Sequence, residues 1–246
     1  HGEDGSKLSK RHGALGIEAY REMGYLPEAM INYLLRLGWS HGDDEVIPLN
    51  DAIKWFNIEG LGKSPARLDL KKLDNLNGHY IREANNQLLV ELVSTSLEKH
   101  FNRQLTQCDK SRLSSAMPAL KSRVKTVTEL AENSIFLIEI RPLIIYEEAS
   151  LLLDPETIKL LSRFFDTANV WSDWSKKGIE SSLRKFADSE GLKLGKIAQP
   201  LRAALTGRTK SPGIFDILGI LGRDEVLGRV TDVLASAEEG HGAEIV

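Results

Sequence analysis

The sequence predicts a mainly α-helical fold. Apolar residues recur at three- and four-residue spacing along the chain, alternating strand-like stretches are few and short, and prolines and capping residues stand where the apolar stripes begin. At 246 residues, 41% hydrophobic and 27% charged, the chain is long enough to bury a substantial core in two or three packed units.

The elements follow in order. Pro27 occupies a first helical position, and Met30, Ile31, Leu34, Leu35 and Leu37 recur at helical spacing until Gly38 stops the run. Trp39 to Asp44, with Gly42 and two aspartates, is a turn. Asn50 to Phe56 reads as a helix with Leu49, Ile53 and Trp55 or Phe56 turned inward, followed by a polar turn through Gly60, Gly62, Ser64 and Pro65. From Asp69 onward helix follows helix. Leu70, Leu73 and Leu76 mark the first; Leu88, Leu89, Leu92, Val93 and Leu97 the second; Leu120, Val124, Val127 and Ala131 the third. Isolated helices of this length are marginal in water, so the stripes must bury against one another as a bundle. Asp154-Pro155-Glu156 supplies a cap, a first-turn proline and an acidic first turn to a helix whose inward face is Ile158, Leu161, Phe164 and Phe165. Ser172 to Lys185 reads as a helix pair with a short link. Ser211-Pro212 repeats the cap-and-proline start ahead of Ile214, Ile217, Leu218 and Leu221. Gly222 ends that helix, and Val226 to Leu234 form the last.

Composition narrows the function classes. No apolar run has the length of a bilayer span, and the first residues lack the order of a secretory signal, so the expected setting is the cytoplasm. The single cysteine, Cys108, has no partner for a disulfide and no neighbouring ligands for a metal, and it reads as a small buried or half-buried apolar residue. A net charge of -3 excludes a chain coated with positive charge, but it leaves room for local basic patches. The start at His1-Gly2, directly on a glycine-rich basic stretch, reads as a fragment.

That stretch is the one whose residue types demand chemistry. Lys7-Leu8-Ser9-Lys10-Arg11, preceded by Ser6, sets three cations and two hydroxyls between Gly5 and Gly13. Cationic donors aimed at phosphate oxygens stabilise charge that develops as pyrophosphate leaves, and a glycine-flanked loop can close over a nucleotide. A solvated basic turn is the alternative for these residues taken alone.

The segment Gly2 to Ala14, with Tyr25-Leu26-Pro27-Glu28-Ala29 and Leu35-Arg36-Leu37-Gly38-Trp39-Ser40, resembles bacterial glutamate–tRNA ligases. Asn75-Leu76-Asn77-Gly78-His79-Tyr80-Ile81-Arg82 resembles that family's junction between stem-contacting region and first anticodon-binding bundle. Ala203-Ala204-Leu205-Thr206-Gly207-Arg208 with Ser211-Pro212-Gly213-Ile214-Phe215-Asp216-Ile217-Leu218 resembles the end of its last bundle. The resemblance implies the carboxy-terminal part of a class I aminoacyl-tRNA synthetase. Its expected organisation is a stem-contact region with the ATP-site loop over 1–82, followed by a helical-bundle anticodon-binding domain in two subdomains, 83–149 and 150–246.

By the same resemblance, Lys7 to Arg11 is the second class I signature, which closes on ATP with Mg2+; Lys10 is the main charge stabiliser and Lys7 supports closure. The first signature, on a nucleotide-binding half, does not occur in the sequence, so this fragment is expected to be inactive alone and to hold no cofactor. Glutamate and ATP are partners of the full-length enzyme, which is implied to be a monomer. Its tRNA partner is tRNA(Glu), with tRNA(Gln) as a further substrate of a non-discriminating enzyme left open.

Anticodon bases are unpaired, so side chains can splay, stack and hydrogen-bond them. Arg202, Arg208 and Lys210 precede the Ser211-Pro212 start, where cations and backbone N–H groups converge. The resemblance places Arg202, Ser211, Pro212 and Ile214 against the first two anticodon bases; for Pro212 and Ile214 a packing role is an equal reading. Lys121 and Arg123, with Lys125, form a second cluster on the expected helix through Leu120, Val124 and Val127. Arg123 is the choice for the third base, an arginine there being associated in the family with glutamate-only charging. Arg67, Lys71 and Lys72 are a third group, either phosphate contacts or a solvated face, and Lys176, Lys177, Arg184 and Lys185, beside Trp171 and Trp174, a fourth. A helical protein-interaction module without nucleic-acid binding is the alternative to this whole reading.

Overall fold

The computed structural model describes residues 15–62 and 66–238; the basic loop Lys7 to Arg11 lies outside them. In chain order the helices are α1 (Ile17–Glu22), α2 (Pro27–Gly38), α3 (Leu49–Trp55), α4 (Leu70–Glu83), α5 (Asn86–Phe101) and α6 (Gln107–Leu120). They continue as α7 (Val127–Glu132), α8 (Glu147–Ser150), α9 (Pro155–Asn169), α10 (Lys176–Ser189), α11 (Leu194–Thr206) and α12 (Ile214–Glu238), with a 3-10 turn at Ile135–Leu137. Among the described residues the extended pairing is a single antiparallel bridge, Trp39 to Leu61. The mainly α reading holds. The chain forms two compact units, His1–Leu105 with Leu120–Glu132, and Thr106–Ala119 with Asn133–Val246.

In the first unit, α2 lies against α4 and α5 against α7. Pro27 stands in the first turn of α2 as the sequence implies. The buried face of α2 is carried by Met30 and Tyr33, which meet Leu73 of α4, and not by Ile31 and Leu34, which are 42% and 53% exposed. Tyr33 can take the inward place because its hydroxyl donates to the Asp69 carbonyl at 3.0 Å, so its polar end is satisfied. The expectation for α3 also needs correction. Leu49, Ile53 and Phe56 face outward, and Ala52 packs with Trp39 and Ile47, while Trp55 is partly buried beside them. The loop tryptophan Trp39 forms that small core because its indole N–H reaches the Asn57 carbonyl at 3.0 Å. Asp69 caps α4 by accepting from the Lys72 N–H.

The third expected stripe is buried as read: Leu120, Val124, Val127 and Ala131 are all buried. It is not one helix. α6 ends at Leu120 and α7 begins at Val127, so residues 121–126 form a loop. The sequence carries the cause, an internal start signal at Thr126: its hydroxyl accepts from the Glu129 N–H at 3.1 Å, while the Glu129 carboxylate accepts from the Lys125 N–H at 2.8 Å.

In the second unit α12 runs along α9 and α11, with α10 packed on α12. Phe164, Ile179, Leu183, Leu201, Ile217 and Val230 of these helices are fully buried. Asp154 caps α9 as expected, accepting from the Thr157 N–H at 2.8 Å. Ser172 to Lys185 is not a helix pair: α10 is one helix, started by Ser175, whose hydroxyl accepts from the Gly178 N–H. Gly222 does break the final helical stretch, at φ 74° and ψ 170°. Cys108 is exposed on the first turn of α6, not buried.

Candidate nucleic-acid interface

The segment between α11 and α12 gathers most of the expected contact residues. α11 ends because Gly207 turns into the left-handed region at φ 68°, and a Cβ there would collide with the Ile144 carbonyl oxygen. Close backbone approach is thus built into this corner. The Gly207 carbonyl accepts from the Tyr146 N–H at 3.0 Å, and Thr209 donates to the Glu148 carboxylate at 3.2 Å. The Arg208 guanidinium lies over the Tyr146 ring, 4.6 Å from its centroid, and its Nη2 donates to the Tyr146 hydroxyl at 3.1 Å. Arg208 Nε is buried and has no acceptor.

Arg202, on the last turns of α11, reaches across the loop. Its Nη2 donates to the Pro212 carbonyl at 3.4 Å and its Nη1 to the Gln199 side chain at 3.2 Å. Lys210 is exposed. The Ser211 hydroxyl donates to the Pro212 carbonyl at 3.3 Å instead of capping a helix. α12 starts two residues later than the sequence suggests, at Ile214, with the Gly213 carbonyl accepting from the Ile217 N–H at 3.0 Å. The Pro212 carbonyl, turned toward Arg202 and Ser211, is engaged elsewhere. Pro212 and Ile214 are both buried, so the side chains that hold this loop to the bundle are these two. Arg202, Arg208, Lys210 and Ser211 remain as the polar rim.

The second cluster belongs to the 121–126 loop in the other unit. Arg123 and Lys125 are exposed, and Arg123 makes no hydrogen bond or ion pair with any described residue. Lys121 differs. Its ammonium donates to the Ala84 carbonyl at 2.8 Å, at the C-terminal end of α4, where a cation also meets the negative end of the helix dipole. It is a capping residue of α4, which the sequence pattern did not indicate. Asn77 fixes the loop: fully buried, it donates to the Lys125 carbonyl at 2.6 Å and the Gly24 carbonyl at 3.2 Å, and accepts from the Leu26 N–H at 2.8 Å. Val124 anchors the loop underneath, 1% exposed.

The remaining basic groups are differently placed. Arg67 and Lys72 border a groove of about 520 Å³ on the first unit, together with Arg36, His79, Tyr33 and Val46. Lys176 is paired with Asp216 at 2.6 Å, and Arg184 with Glu180 at 2.7 Å while lying over the Phe215 ring. Trp171 packs edge-on against Phe164, and Trp174 lies tilted against Trp171, both half-buried. Among the described residues no group of three or more His, Cys, Asp or Glu is placed to hold a metal ion, and no helix is long and apolar enough to cross a membrane. Tyr146 and Asn77 hold these two loops in place, and sequence reasoning assigned neither of them that part. Gly207, at the end of an apolar helical run, was a visible signal for the first of these corners.

Each unit thus carries a loop with basic side chains at a helix junction, and comparison with known proteins gives the family. The "Anticodon binding domain" family matches residues 87–234, and "tRNA synthetases class I (E and Q), catalytic domain" matches residues 1–75. The chain belongs to the anticodon-binding domain family. Its similar curated relatives are glutamate–tRNA ligases. One from Rhodospirillum centenum is 55% identical over 232 residues, covering 94% of this chain and 50% of the relative. Another, from Zymomonas mobilis, is 53% identical over 236 residues, covering 96% and 49%. The crystal structure of a glutamate tRNA ligase from Elizabethkingia meningosepticum, in complex with its amino acid, matches with a TM-score of 0.76 at 26% identity, over 94% of this chain and 49% of that one. The chain thus spans about half the length of the relatives it matches. None of these matches supports a protein-interaction module.

Proposed function

We propose that this chain is the tRNA-binding part of a cytoplasmic glutamate–tRNA ligase. In that enzyme glutamate is activated by ATP with Mg2+, and the glutamyl group passes to the terminal ribose of tRNA(Glu). The assignment divides the labour as stem contact over 1–82 and anticodon reading by the helical regions 83–149 and 150–246. Lys10 and Lys7 serve the ATP site of the whole enzyme, with Leu8, Ser9 and Arg11 completing the loop, and the chain alone is inactive.

The observation that carries the reading is the position of the α11–α12 corner. It lies inside the span matched by the anticodon-binding family and presents Arg202, Arg208, Lys210 and Ser211 from a loop that Gly207, Pro212 and Ile214 hold in place. Such a rim suits unpaired bases, whose edges and faces are open to guanidinium donors and stacking. Arg123, free of protein partners among the described residues, is the reader assigned to the third base.

The test is titration of the chain with transcribed tRNA(Glu) over a range of salt. Binding that weakens steeply with salt is expected, because each phosphate neutralised releases counterions. Arg202→Ala is expected to weaken binding by roughly ten- to a hundredfold, the span for losing a good arginine–base contact. The loss should be smaller on a tRNA with an altered anticodon. No binding at low salt would overturn the proposal.

A further inference from the structure

Nothing in the sequence pointed to Tyr146. We propose that Tyr146 is a positioning residue for anticodon reading: its ring and hydroxyl seat Arg208, and its backbone seats the loop that carries Arg208. This rests on the reading of the α11–α12 corner as an RNA-facing surface, and it names the element that sets the corner's geometry.

Three contacts converge on one short stretch. The Tyr146 N–H holds the Gly207 carbonyl at 3.0 Å, the Tyr146 ring and hydroxyl hold the Arg208 guanidinium, and Glu148 holds Thr209 at 3.2 Å. Three successive loop residues are therefore tied to residues 146–148. The stretch is itself fixed: Tyr146 is the N-cap of α8, its carbonyl accepting from the Ser150 N–H at 3.0 Å, and Ile145 beside it is 2% exposed. Ile144 closes the back, its carbonyl standing where a Cβ on residue 207 would go.

The consequence for Arg208 is chemical. A free arginine side chain samples many rotamers, and each one frozen on binding lowers affinity. On Tyr146 the guanidinium plane is already selected, with Nη2 used by the phenol and Nε buried without an acceptor. The sealed Nε is out of reach of an incoming acceptor, so the edge of the guanidinium left for one is Nη1, which makes no hydrogen bond among the described residues. A base edge or phosphate oxygen arriving at the loop meets an oriented, undersatisfied guanidinium. Tyr146 orients the guanidinium through ring and hydroxyl and is assigned no contact with the RNA.

The experiment is a double-mutant cycle on this chain with transcribed tRNA(Glu), using Tyr146→Leu, Arg208→Ala and both together, with Tyr146→Phe as the conservative variant. The expected result is a loss of roughly tenfold for Tyr146→Leu, the scale of a partly desolvated cation–π pair. No further loss is expected when Tyr146→Leu is added to Arg208→Ala, since the tyrosine acts through the arginine. Tyr146→Phe keeps the ring and should fall between the wild type and Tyr146→Leu. Thermal melts of each variant separate loss of fold from loss of positioning, and Tyr146→Phe, which keeps the packing volume, preserves the test if Tyr146→Leu unfolds. Multiplying losses in the double variant, or an unchanged affinity in Tyr146→Leu with Arg208→Ala impaired, would overturn the proposal while leaving the RNA-facing reading intact. An Arg208→Ala variant with full affinity would instead strike at that reading.

Discussion

Asn77 offers a sharp test of how the 121–126 loop is held. Its side chain is fully buried and makes three hydrogen bonds to backbone groups from two other segments. In Asn77→Ala, the Gly24 carbonyl keeps a partner because the Val127 N–H also reaches it, at 2.9 Å. The Leu26 N–H and the Lys125 carbonyl lose theirs. One buried backbone group left unsatisfied, at about 1–2 kcal/mol, and the part-buried Lys125 carbonyl, at about 1 kcal/mol or less because water can reach it, give a destabilisation of about 2 kcal/mol. Urea unfolding followed by far-UV circular dichroism measures it against Asn75→Ala, an exposed neighbour on the same helix expected to stay within about 0.5 kcal/mol of wild type. Asn77→Asp keeps the acceptor for the Leu26 N–H but loses both donors and buries a charge, so it should be no better than Asn77→Ala. A loss below about 1 kcal/mol for Asn77→Ala would refute the reasoning, since it would mean that water or relaxation satisfies both groups.

Other outcomes follow from the same geometry. Arg123→Ala should weaken binding to tRNA(Glu) by roughly tenfold or more and relax discrimination at the third anticodon base with little change in stability, whereas Lys121→Ala, which uncaps α4, should lower the melting temperature and leave tRNA binding nearly unchanged. Gly207→Ala should destabilise by more than about 2 kcal/mol, combining a positive φ with the clash against Ile144, and should be visible as a lowered urea midpoint. The phenols of Tyr25, Tyr33 and Tyr80 are all pushed above the usual tyrosine range, chiefly by burial, with the hydrogen bond to Asp74 adding to this at Tyr25. Because the folded state holds these protons more tightly than the unfolded chain, their contribution is full below about pH 10 and is lost as pH rises further. Tyr25→Phe should flatten that alkaline limb in pH-dependent unfolding.

The architecture was legible wherever local chemistry and packing agreed. Asp154-Pro155, Asp69 and Gly222 announce boundaries that need no tertiary context, and the structure places them there. Apolar spacing was less informative about direction. Ile31, Leu34, Leu49 and Ile53 are as hydrophobic as the residues that are buried, yet the inward places go to Tyr33, Ala52 and Trp39, which combine small size or a polar handle with the available partners. The site divides the same way. That cations would gather near Arg202 and Arg123 could be read from the sequence, but that Lys121 spends its charge on a carbonyl and that Arg208 rests on Tyr146, sixty-two residues away in sequence, depends on contacts no spacing rule encodes.

The two candidate reading loops share a physical logic, each within its own unit. Both lie at helix junctions, both carry arginines, and both have their backbone pinned by a buried contact from a distant part of the chain: Asn77 for residues 121–126, Gly207 against Ile144 for the other. Ordering a flexible loop at the moment of binding lowers affinity, so a loop ordered at folding presents its cations with that loss already met. On the proposed function, the cations so placed find their acceptors in an unpaired, splayed anticodon, which exposes base edges that a regular duplex conceals.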